Sequence, residues 1–187
     1  MELLPFLRTQ ARANRLANHR LHEAMRPVSR ADYEATRTSF FPSLAKTLEH
    51  ILAVDLYYLA ALHAEADMEA QWLAAPRGVA LAELALAQAA ADRRFIDHLD
   101  GLAAPALDEI IALDRGEGRV QREQRGHVIG HLLAHQVHHR GQAHAMLAGT
   151  GVAPPQLDEF LMPSEAHLRL VEMRALGWSE AMLFDPR

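Results

Sequence analysis

The sequence predicts an all-α protein built as a four-helix bundle, with short extra helices. Three observations lead there. The chain has 187 residues, half of them apolar, which is enough for the core of one domain. Four long segments repeat apolar residues at three- and four-residue intervals. Breaker residues separate these segments, at Pro27, at Pro76 and Gly78, at Pro105, and from Gly149 to Pro155. Residues 1–187 are therefore read as a single bundle domain, with 164–187 as a C-terminal extension packed on it.

The first long helix covers residues 3–25. Leu7, Ala11, Leu21 and Met25 share its stripe, and Asn14 and Asn18 interrupt it at helical spacing. Two inward amides need hydrogen-bond partners. A turn follows at Pro27, and Ser29 is placed to cap a short helix through Tyr33. Pro42 sits where a helix start accepts proline, and the second long helix spans 43–64. It is apolar nearly all round, as a central helix is. Its Asp55 is read as the helix's polar face in preference to a group behind a site. Residues 65–78 are mixed in character and read as a loop.

The third long helix spans 79–102, with Leu81, Leu84, Ala85, Phe95 and Leu99 as its stripe. Between 106 and 122, Asp114 to Gly118 forms a turn. Ile110-Ile111 and Arg119-Val120 can flank that turn as a small hairpin. The fourth long helix spans 123–148, with Gly149 and Gly151 past its end. A last short helix starts near Ser164 and ends before Gly177. Trp178, Met182, Leu183 and Phe184 read as packing residues that close the bundle or cover a pocket edge.

Composition narrows the function. There is no cysteine, so disulfides, thiolate ligands and a protein thiol nucleophile are excluded. Nineteen Lys and Arg against 24 Asp and Glu give a net charge of −5, which argues against nucleic acid or an anionic membrane as partner. The longest apolar run, 51–62, has 12 residues and contains Asp55. A membrane span needs about 20. The N-terminus has no basic region followed by a cleavage site, so a cytoplasmic location is expected.

Six of the chain's 12 histidines lie within 127–144. Positions i and i+4 sit about 40° apart on a helix, so two imidazoles can face one ion. His127/His131, His131/His135 and His135/His139 all qualify. The inner stripe selects among them, because Val128, Leu132, His135, His139, Gln142 and Met146 follow one another at spacings of 4, 3, 4, 3 and 4. His135 and His139 thus stand in an apolar row, with His131 and His138 on its flank. A third ligand must come from another helix. His50 is the candidate, set among Ile51, Val54 and Tyr57. An i,i+4 pair alone is often incidental; two core-row histidines plus an inward third point to a metal. Asp55 lies about 140° round from His50 and is no co-ligand. Gln142 is placed to orient a ligand, to bind a water or to sit as a hydrogen-bonded core amide. Gly141 marks either a close helix approach or nothing.

The run from His135 to Gln142, His-Gln-Val-His-His-Arg-Gly-Gln, resembles the motif of the DinB-like (damage-inducible, DinB/YfiT) metalloprotein family. Phe40-Phe41-Pro42-Ser43, Thr47 to Leu52 with Asp55, Ala13 to Asn18, and Pro154 to Asp158 are similar to other parts of it, so the likeness covers about residues 4–160. The resemblance implies a four-helix bundle whose metal, commonly zinc or nickel, is held by His50, His135 and His139. It also implies a homodimer. Better-understood relatives use an external low-molecular-weight thiol in transferase or isomerase reactions. The family's name refers to expression and implies no DNA binding. Tyr57-Tyr58 departs from the tryptophan of many relatives, which bears on pocket shape.

Three imidazoles leave a tetrahedral ion one open position, where water or an external thiol can be activated. No Gly-x-Ser-x-Gly elbow, phosphate loop, Glu-x-x-His pair or His-Glu-x-x-His motif is present. The expected function is that of a mononuclear metal-dependent enzyme, a thiol-dependent S-transferase or isomerase or a hydrolase. The alternative is a non-catalytic metal- or small-ligand-binding stress protein. His131, His138 and Tyr57 are the catalytic candidates by position, and the substrate is a small molecule of unassigned identity.

Overall fold

The fold is taken from a computed structural model that describes residues 2–184. Four long helices form where the apolar stripes lie: α1 (Leu3–Met25), α3 (Leu44–Leu62), α5 (Leu81–Gly101) and α6 (Arg125–Leu147). The short α2 (Arg30–Glu34) starts at Ser29, whose hydroxyl accepts the Asp32 N–H at 3.0 Å. Ser43 caps α3 in the same way, accepting the Lys46 N–H at 3.2 Å. The hairpin forms from β1 (Ile110–Asp114) and β2 (Val120–Gln124), paired antiparallel with Ile110 opposite Gln124 and Asp114 opposite Val120.

Two local expectations need correction. The stretch 65–78 is not all loop, because α4 (Met68–Ala74) forms within it. Asp67 nucleates that helix by accepting the Ala70 N–H at 2.7 Å, and Pro76 and Gly78 merely stop it. The last predicted helix begins as a 3₁₀ turn, Pro163–Arg169, and becomes α-helical only over α7 (Leu170–Leu176). Gly177, at φ +67°, ends it. A further short helix, α8 (Glu180–Phe184), follows.

In the bundle, α1 packs on α5 and α6, and α3 packs on α5 and α6. The main core lies among these four, built on residues such as Leu21, Leu52, Leu84, Leu99, Ile129 and Leu132. A second apolar cluster covers the outer side of α1, where Leu16 and Ala17 meet Phe160, Met173 and Leu183. Arg169 is fully buried there, donating to the carbonyls of Glu159 and Met162 and pairing with Glu180 at 2.6 Å. Met182, by contrast, is exposed. Among the described residues, no helix is long and apolar enough to cross a membrane.

The middle of the bundle is polar. Asp55 is buried, not on a solvent-facing side of α3, which overturns the polar-face reading. It accepts from Gln88 Nε2 at 2.6 Å and from Gln136 Nε2. Gln88 also donates to Asp92 at 3.1 Å, and Asn18 donates to Asp92 at 3.0 Å and to Gln136 at 3.4 Å. The five side chains close a ring that draws one or two members from each long helix. Arg140 sits beside it, donating to Asn14 and Asn18, which are the partners those two inward amides required. Burial raises the Asp55 carboxyl well above its usual range, helped by the charge of Asp92, and lifts Asp92 to about 6. Gln136 and Arg140 lie outside the stripe read from the sequence, yet both are more buried than His135.

Replacing Asn18 with Leu should strip partners from Asp92 and Arg140 together and destabilise the fold by about 1–3 kcal/mol, measured by urea unfolding. An unchanged midpoint would show that the ring is dispensable. His22 gives a pH test. Burial, then the nearby Arg15, pushes its pKa down to about 4. Unfolded histidine titrates near 6.5. The unfolded chain therefore binds more protons in between, and this residue makes stability fall as pH drops from about 6.5 to about 4. His22→Gln should flatten that limb of the stability–pH curve relative to the parent chain.

Candidate metal centre

The second long helix and the fourth face each other, and the site forms where they do. His50 sits one turn and a half into α3, and His135 and His139 lie one turn apart on the inward row of α6. Nε2 of His50 lies 3.0 Å from Nε2 of His135. Each of the three histidines offers a ring nitrogen, and these atoms lie within 4.8 Å of one another. His139 is buried, and the other two are partly buried.

Ring orientation is set by neighbours. Nδ1 of His139 lies 2.8 Å from Oε1 of Gln142, one turn on. The amide oxygen can only accept, so it takes the Nδ1 proton and leaves Nε2 as a lone pair. Gln142 thus fixes the orientation of the His139 ring. Its own Nε2 meets Nε2 of His138 at 3.2 Å. The Phe41 ring lies 4.2 Å from that of His50 and 5.5 Å from that of His139, and Phe40 flanks it at the surface. Trp72, brought by α4, stands edge-on to His50 at 5.9 Å. Nδ1 of His135 is buried without a protein partner.

The electrostatics keep the three rings neutral. Burial, then the neighbouring His139 and His50, pushes His135 down to about 3. Burial, then His139, takes His50 to about 4. Burial lowers His139 too, and its bond with Gln142 opposes part of that. Neutral imidazole is the ligand form, so the three rings could hold a metal ion. Two ring nitrogens that face each other at 3.0 Å can share one proton or turn two lone pairs to one cation; the third nitrogen favours the cation.

The other candidates fall nearby but outside the cluster. His131 is exposed, with its ring 5.2 Å from Tyr58 and 6.4 Å from His135. His138 is exposed and tied to Gln142. The Tyr57 hydroxyl donates to the backbone carbonyl of Asp114 and so pins the hairpin to α3. His131, Tyr57 and His135 all line a cavity of about 340 Å³, between the hairpin, α3, α4 and α6. Gly141 has open space where a Cβ would stand, so no close helix approach explains it.

Sequence reasoning missed Trp72 because α4 was missed, and missed the ring around Gln136 and Arg140. One signal was available. These two residues directly follow His135 and His139, hence point about 100° away from them, toward a helix carrying two amides that lack partners.

No curated protein matches the chain. The model of the DinB family matches residues 6–173, which runs from the first turn of α1 into α7 and takes in all three clustered histidines. The all-helical bundle, the histidine triad across α3 and α6 and a match over most of the sequence agree: the chain belongs to the DinB family.

Proposed function

We propose that the chain is a mononuclear, divalent-metal-dependent enzyme acting on a small molecule. One observation carries the reading: three neutral imidazoles converge from two helices, and one of them, His135, lines a cavity. His50, His135 and His139 would hold the ion. When bound, an ion of this kind supplies Lewis acidity that makes water or a thiol a nucleophile near neutral pH.

The chain's own groups define the rest. The cluster contains no fourth protein ligand among the described residues, so access from the cavity is left to a small molecule. Phe41 walls the opposite side against water. Gln142 holds the His139 ring in one tautomer. The chain has no cysteine, so a thiol route takes its thiol from outside, while a hydrolytic route takes water. Among the candidates for moving a proton, Tyr57 is committed to the Asp114 carbonyl and His138 to Gln142. His131, on the cavity wall, is the best placed. A purely sequestering site would favour closure by a further histidine. The 6.4 Å between the rings of His131 and His135 supports the open, catalytic reading instead.

Purified under metal-replete conditions, the protein should hold about one divalent ion per chain by elemental analysis. Alanine at His50, His135 or His139 should remove most of it, and His131→Ala should retain it. Loss on His131→Ala alone would mean that another set of histidines binds. For activity, the metal-loaded protein is screened with several low-molecular-weight thiols against electrophiles, and with hydrolysable esters and amides. Turnover should fall by about 100-fold or more in His50→Ala. Turnover indifferent to that change would refute the site.

A further inference from the structure

Among the described residues, the cavity beside His135 contains one cation, Arg115, with no acidic partner. Arg115 opens the turn between β1 and β2, and Gly116, Glu117 and Gly118 follow it at φ values of +76°, +54° and +72°. Such a run of left-handed residues gives the turn a fixed shape, at a strain that only the glycines escape. The turn is tied down on three sides. The Asp114 carbonyl accepts from Tyr57, the Asp114 N–H meets Sδ of Met68 at 3.5 Å, and the Asp114 carboxylate accepts the Gly116 N–H at 2.9 Å. The Arg115 N–H donates to the Arg119 carbonyl at 2.9 Å. Arg115 is therefore presented from a braced hairpin.

Its guanidinium lies over two rings, 5.5 Å from the centroid of Tyr57 and 5.7 Å from that of Tyr58. Nε donates to the side-chain oxygen of Gln121 at 2.9 Å, and Nη2 donates to the Tyr58 hydroxyl at 3.3 Å. All of these partners are neutral. No carboxylate pairs with Arg115 among the described residues, although two others line the cavity: Asp114 is engaged with its own turn, and Glu69 sits exposed on α4. An arginine stacked on aromatic rings with donors to spare is a receptor for a planar carboxylate. The apolar part of the same cavity is Val54, Tyr57, Tyr58 and Trp72. Its volume of about 340 Å³ suits a small ligand.

We propose that Arg115 is the specificity-determining residue of this cavity, binding the carboxylate of a small aromatic acid whose ring lies on the tyrosine and tryptophan wall and whose far end reaches His135. The proposal rests on the reading of the histidine cluster as an active site, and adds the substrate class to it. Acids lacking a ring lose the wall, and ring compounds lacking the acid lose Arg115.

The test uses the full chain, zinc-loaded and chelator-stripped, in calorimetric titrations with benzoate and with its neutral counterpart benzamide. Benzoate should bind saturably to both forms. Arg115→Gln should weaken benzoate by about tenfold or more, and Arg115→Lys, which keeps the charge but not the fork, should fall between. Benzamide should bind more weakly and ignore both changes. Circular dichroism and zinc content of the variants should match the parent. Absent benzoate binding, or equal benzoate affinity with and without the guanidinium in a folded variant, overturns the proposal. A chain that takes up no zinc yet shows the Arg115-dependent preference would overturn the metal reading and leave the carboxylate receptor standing.

Discussion

Two carboxyl groups and three carboxamides meet at the centre of the bundle, and their mutual hydrogen bonds fix the four long helices against one another. Apolar packing tolerates small slides of one helix along another; a closed ring of directional bonds does not. Asn18, Asp55, Gln88, Asp92 and Gln136 each hold a neighbour on a different helix or one turn away. A slip of any helix would leave a buried polar atom without its partner. The ring's member on α6 is adjacent to His135, and Arg140, bound to Asn14 and Asn18, is adjacent to His139. Two successive turns of α6 are thus anchored on one side so that their other side meets His50. Convergence of the three ring nitrogens is the downstream result.

The same interior sets the charge states. Desolvation dominates at the clustered histidines, where it favours the neutral form, and at the two carboxyls, where it resists ionisation. Both effects run the same way: an interior dry enough to keep imidazoles as lone-pair donors is one in which carboxylates need several donors each. Asp55 has two amide donors on one oxygen and none on the other. Trp72, which stands against His50, extends this dry surround into the cavity lining.

Much of this was legible in the chain itself, because periodicity reports directly on which side of a helix is buried. The inward row on the fourth helix separated His135 and His139 from His131 and His138, and one apolar helix with a single inward histidine singled out His50. Capping serines and the glycine turn placed the short helix and the hairpin. What escaped was of two kinds. Helix α4 depends on one aspartate cap within a segment of mixed character, a signal weaker than the proline and glycine that follow it. Asp55 was misread because a charged residue is taken as exposed by default. Its burial depends on Gln88 and Gln136, residues far along the chain whose partnership exists only after folding. Arg115 was silent for a similar reason, since two helices and a strand separate it along the chain from its two tyrosines.

The proposed function requires a single cation shared by imidazoles from α3 and α6. X-ray absorption at the zinc edge reports on this without requiring a substrate. The first shell should contain nitrogen and oxygen only, with outer-shell scattering that fits three imidazoles, the number in the cluster. A shell fitting four imidazoles, or one with oxygen alone, would contradict the geometry described.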